Sequence, residues 1–69
     1  MTEFHLEGKE YIELNKLLKL THLVSTGGEA NIRIENEEVK VNGVTETRKR
    51  HKLRTGFVVT FNSFEIVIR

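Results

Sequence analysis

A chain of 69 residues without a cysteine has to close its core by side-chain packing alone. Disulfide staples and thiolate metal sites are excluded, and a stability of about 5 kcal/mol is the scale to expect. The lack of cysteine also fits a reducing compartment. Proline is absent, and no repeat or low-complexity tract interrupts the sequence, so one domain over residues 1–69 is predicted. Met1 to Leu6 holds a glutamate and no apolar run, which argues against a secretory signal. No segment approaches the roughly 20 apolar residues of a membrane span, so a soluble, cytoplasmic protein is expected.

The apolar pattern changes period along the chain. Phe4 and Leu6 alternate over Glu3 to Leu6, which suggests a short strand. From Glu10 to Leu20 the residues Tyr11, Leu14, Leu17 and Leu18 fall at helical spacing, with Glu13, Lys16 and Lys19 opposite, so a first amphipathic helix is predicted there. Thr26 and Glu29 have the spacing of a capping box and start a second helix at Gly27, with Ala30 and Ile34 as its buried stripe. After Asn36 the period becomes two: Val39 and Val41 point one way, Glu38 and Lys40 the other. Asn42-Gly43 suits a type I′ turn, in which both residues take positive φ, and Val44 to Thr47 returns as the partner strand. Thr55-Gly56 turns the chain into a second hairpin whose Phe57, Val59, Phe61, Phe64, Ile66 and Ile68 are expected to face a common core. The sum is an α+β fold, two N-terminal helices packed on one face of a small, largely antiparallel sheet. The first strand would be added at an edge.

Charge is distributed unevenly. Five of the seven residues from Arg48 to Arg54 are cationic (Arg48, Lys49, Arg50, Lys52 and Arg54), while the rest of the chain carries six basic and ten acidic residues. The net charge of +1 conceals this polarity. Cations packed this closely repel one another unless a polyanion relieves them, and nucleic acid is the obvious polyanion. If the run is extended, alternation aims Arg48, Arg50, Lys52 and Arg54 to one side as a cationic rail and Lys49, His51 and Leu53 to the other. A solvated loop is the bland alternative.

Other charges have ordinary explanations beside functional ones. Arg33 lies four residues after Glu29, so a helix-surface pair worth a few tenths of a kcal/mol explains it without a ligand. Gly27 and Gly28 could present free N–H groups to a phosphate, or could simply open a helix capped by Thr26. No catalytic constellation emerges: His5, His22 and His51 lack ligand spacing, and Gly27-Gly28 lacks the Lys-Ser/Thr of a phosphate loop. Neither an enzyme nor a cofactor or metal is called for.

The segment from Leu14 to Val59 resembles an S4 RNA-binding domain, the module of a ribosomal small-subunit protein, pseudouridine synthases and some tRNA synthetases. Leu14 and Leu18 match its first helix, Thr26 stands where Ser is usual, and Ala30 and Ile34 follow. Val39-Lys40-Val41-Asn42-Gly43 matches the most diagnostic stretch, and Gly56 matches a later glycine. With Gly27-Gly28-Glu29-Ala30 and Glu46-Thr47-Arg48-Lys49-Arg50, the chain looks most like the stand-alone bacterial proteins that are little more than an S4 domain. The chain also departs from the pattern: Glu13, Gly27 and Asn31 replace basic residues, Glu37 replaces a glycine, and Phe57 replaces an Asp.

The resemblance implies non-enzymatic binding of structured RNA, ribosomal RNA or ribosomal particles in particular, and nothing in the sequence demands more than a monomer. Arg48, Lys49, Arg50, Lys52 and Arg54 would contact phosphates, with Lys40 and Arg33 flanking and Gly27 and Gly28 allowing close approach. Recognition would go through backbone and shape, because only one Tyr is present and the four Phe fit core positions. A small adaptor that sets the basic segment against an acidic protein is the alternative.

Overall fold

The computed structural model describes residues 2–69, so Met1, which opens the segment weighed against a secretory signal, lies outside it. In chain order the elements are β1 (Thr2–Phe4), β2 (Ile12–Glu13), α1 (Leu14–Leu20), α2 (Gly27–Glu35), β3 (Val39–Val41), β4 (Val44–Thr45), β5 (Lys52–Leu53), β6 (Val58–Phe61) and β7 (Phe64–Ile68). The main sheet has the order β1-β7-β6-β3-β4, and β2 and β5 form a separate two-stranded ribbon. All pairings are antiparallel except that of β1 with β7. β1 is the first strand expected over Glu3 to Leu6, placed at Thr2–Phe4 instead, and it occupies a sheet edge.

The two helices cover one face of this sheet. Leu14, Leu17 and Leu18 of α1 and Ala30 and Ile34 of α2 join Val39, Val41, Val59, Phe61, Ile66 and Ile68 in one buried cluster. The alternation read from the sequence is therefore real, with Lys40, Thr60 and Glu65 in register on the face turned away from the helices. Asn42 and Gly43 have φ of 52° and 82°, as the type I′ turn requires. Asn42 does more than turn the chain, because its Oδ1 accepts from the Val58 N–H at 2.8 Å and so ties the hairpin to β6.

The capping box at α2 forms, one arm offset. Thr26 Oγ1 accepts from the Glu29 N–H at 3.0 Å, and the Glu29 carboxylate reaches the Ser25 N–H at 2.8 Å rather than that of Thr26. At the other end, Glu38 N–H donates to Arg33 and Glu37 N–H to Ile34, the paired bonds of a Schellman motif. Its left-handed position is Glu37, at φ 63°, where glycine would be unstrained.

Several expectations need correction. α1 begins at Leu14 and not at Glu10, because Ile12 and Glu13 pair with Leu53 and Lys52 as a strand. Tyr11 consequently leaves the predicted buried stripe and is 37% exposed. β4 ends at Thr45. Phe64 lies at a hairpin tip and is half exposed rather than packed in the core.

Candidate nucleic-acid interface

The basic segment is pinned to the body of the molecule by its backbone. α1 has no side-chain cap, since Glu13 precedes it in extended conformation and makes no capping bond. The orphan N–H groups of its first turn are satisfied from elsewhere: Leu14 donates to the His51 carbonyl and Asn15 to the Lys49 carbonyl, each at 3.0 Å. Leu53, fully buried, plugs the far end of the segment into the core. A helix start that would fray and a charged loop that would wander thus restrain each other.

The carboxylate of Glu46 holds the near end. It accepts from the Arg48 backbone N–H at 2.9 Å and takes the Arg48 guanidinium as a fork, Nε to one oxygen and Nη2 to the other, both at 2.9 Å. His51 Nδ1 stands 3.7 Å from the same carboxylate. The hydrogen bonds from the Arg48 side chain outweigh the opposing effect of burial and bring the Glu46 carboxyl from 4.5 to about 2. Glu46 remains ionised at any pH near neutrality.

Between these anchors the chain turns, with His51 N–H donating to the Arg48 carbonyl at 3.2 Å. The continuous rail expected from alternation is therefore broken at Lys49-Arg50. Arg48, Arg50 and Lys52 nevertheless line, with His51, one open depression of about 410 Å³. Lys52 and Arg54 share a side as predicted, since Lys52 Nζ lies 4.9 Å and Arg54 Cζ 5.7 Å from the centre of the Tyr11 ring.

The cations differ in how free they are. Arg48 is committed to Glu46, and Lys49 Nζ pairs with Glu35 at 3.0 Å, at the C-terminal end of α2. Arg33 is bracketed by Glu29 at 3.7 Å and Glu38 at 3.3 Å, the helix-surface pairing expected of it and one more. Arg50, Lys52 and Arg54 are exposed and have no carboxylate partner among the described residues. Lys40 is exposed on the outer face of the sheet, opposite Thr45 and Thr60, and not beside the helices. Gly27 and Gly28 lie at the end of α2 remote from Lys49, about 12 Å along the helix. A methyl group at Gly27 would meet nothing within 4 Å, and one at Gly28 only Thr26 Oγ1 at 3.8 Å, so internal packing does not require either glycine.

Glu46, Tyr11 and Asn15 belong to this region and were not read from the sequence as such. Asn15 Nδ2 donates to Asn31 Oδ1 at 3.2 Å, joining α1 to α2 beside the Lys49 carbonyl. Glu46 enters the sequence reading only within the run Glu46-Thr47-Arg48-Lys49-Arg50, and its spacing of two from Arg48 is the signal that could have flagged its role as a clamp. Among the described residues no cluster of potential metal ligands occurs, and no helix is long and apolar enough to cross a membrane.

Two helices packed on a mixed, mostly antiparallel sheet, with a basic turn bonded to the start of the first helix, match the architecture of the S4 domain, and the chain belongs to that family, whose model matches residues 4–69. Its relatives narrow the likeness to very small proteins. The "Putative RNA-binding protein YbcJ" of Escherichia coli (strain K12) is 38% identical over 68 residues, covering 99% of this chain and 97% of that one. The solution structure of YbcJ, described as revealing an alfaL motif involved in RNA-binding, superposes with a TM-score of 0.75 over 99% of this chain and 86% of the other. The "Probable ribosome maturation protein RlbA" of Bacillus subtilis (strain 168) is 38% identical over 61 residues, covering 84% of this chain and 86% of that protein.

Proposed function

We propose that this protein binds structured RNA without catalysis, through the cationic surface of residues 48–54, and that its targets are ribosomal RNA or ribosomal particles. The observation that carries the reading is the set Arg50, Lys52 and Arg54: exposed, without carboxylate partners among the described residues, and held on a backbone anchored at both ends. Charges fixed in this way lose little freedom when phosphates approach, so less of the attraction is spent on ordering them. Lys49 joins them, because an exposed pair such as Lys49 with Glu35 contributes little and yields readily to a phosphate.

Arg48 lines the same depression but serves mainly as the clamp on Glu46. Lys40 and Arg33 act at the margins, one on the outer sheet face and one across α2. Gly27 and Gly28 leave room for a phosphate at the start of α2, room that nothing in the chain itself uses. The names of the YbcJ and RlbA relatives support the RNA and ribosomal parts of this reading respectively. Replacing Arg50, Lys52 and Arg54 together by Ala tests it. Affinity for a structured ribosomal RNA fragment should fall about tenfold or more, with an unchanged circular dichroism spectrum. Undiminished affinity would remove the basic turn as the contact surface.

A further inference from the structure

Tyr11 borders two surfaces at once. Its ring lies close to Lys52 and Arg54, and it also lines a groove of about 700 Å³ between the N-terminal segment and α1. Phe4, Leu6, Ile12 and Leu20 give that groove apolar lining, and Leu20 is 57% exposed there. Its polar lining is mixed: Glu7 and Glu10 form no ion pair among the described residues, while His5, Lys9 and the Glu13–Lys16 pair, at 3.6 Å, stand beside them.

We infer that this groove receives one unpaired base of the bound RNA, stacked against Tyr11 while Lys52 and Arg54 hold the flanking phosphates. The inference rests on the RNA-binding reading above and adds a ligand subsite to it. A nucleotide matches the chemistry found here: anionic phosphate for Lys52 and Arg54 beside the Tyr11 ring, a flat ring for the apolar lining, and N–H donors at its edge for Glu7 and Glu10, whose carboxylates can only accept. Bases that present an amino group, adenine, cytosine and guanine, suit those carboxylates better than uracil, whose single N–H is flanked by carbonyls.

Fluorescence anisotropy with two RNA hairpins tests this, one fully paired and one identical except for a single-nucleotide bulge. The full chain should bind the bulged hairpin about tenfold more tightly, in line with the measured contribution of one base stacked on an aromatic ring. Tyr11→Ala should bring the ratio of the two affinities to near one, Tyr11→Phe should preserve it, and a uracil bulge should give the smallest ratio. Equal binding of the two hairpins by the unmodified chain would overturn the inference. So would a Tyr11→Ala variant that loses the same factor on both, since Tyr11 would then only support Lys52 and Arg54. In either of these cases salt-dependent binding of the paired hairpin leaves the RNA-binding reading standing, whereas failure to bind either hairpin removes both.

Discussion

Individual residues in this protein separate into those that shape the basic surface and those that supply its charge, and Glu46 belongs to the first group. Its carboxyl is lowered to about 2 in the folded state against 4.5 when unperturbed, so the folded form binds the proton less readily than the unfolded one. The stability it contributes is complete above pH 4.5 and drains away as pH falls towards 2. Because the Arg48 half of the fork faces solvent, that contribution is about 1 kcal/mol. Urea unfolding across that interval should show the loss in the natural chain and a flatter profile in Glu46→Gln. Glu37, at φ 63°, should respond in the opposite sense, with Glu37→Gly raising the unfolding free energy measured in urea by about 0.5–1 kcal/mol. Gly27→Ala and Gly28→Ala should each stabilise α2, by up to about 1 kcal/mol, and weaken RNA binding if a phosphate comes close there. Stabilisation with unaltered binding would exclude that end of α2 from the interface.

At the level of elements, the local signals were strong and the long-range ones silent. The turn at Asn42-Gly43, the box at Thr26 and the alternation through β3, β6 and β7 depend on neighbours a few residues apart, and each was legible. The start of α1 was not. Tyr11 keeps helical spacing with Leu14 and Leu18, but pairing of Ile12 with Leu53 claims the preceding residues for a strand. The missing cap is supplied by carbonyls of Lys49 and His51, more than thirty residues away, which no local pattern announces. The turn inside the basic run was hidden for the same reason, since α1 bonds the Lys49 and His51 carbonyls that flank it, and only the bond from Glu46 is local. Leu53 is the structural counterpart of those bonds. Truncating this fully buried side chain, Leu53→Ala, should cost about 2–5 kcal/mol and free β5 from the core. Backbone amides of Leu14 and Asn15 should then exchange faster in hydrogen-exchange NMR even under conditions where the sheet still holds. Equal protection in both proteins would show that α1 and the basic segment do not restrain each other.

For the molecule as a whole, the consequence of this wiring is a charge polarity that the fold turns into a surface. The sequence placed five cations in seven residues, but it did not tell which would remain available. Two are committed to glutamates and three stand free, an outcome set by the neighbouring Glu46 and by Glu35 of α2 rather than by the run itself. Lys40, by contrast, is separated from the helical layer by the sheet, which a linear reading of flanking charge could not show. The central claim is that the free cations of the turn neutralise RNA phosphates, about four of them when Lys49 is counted. Affinity for a structured ribosomal RNA fragment, measured across a range of salt concentrations, tests it most directly. The logarithm of the affinity should fall against the logarithm of salt with a slope of about −3, and that slope should shrink to about −1 when Arg50, Lys52 and Arg54 are replaced by Ala. Tight binding that ignores salt, or a slope untouched by the triple replacement, would contradict it.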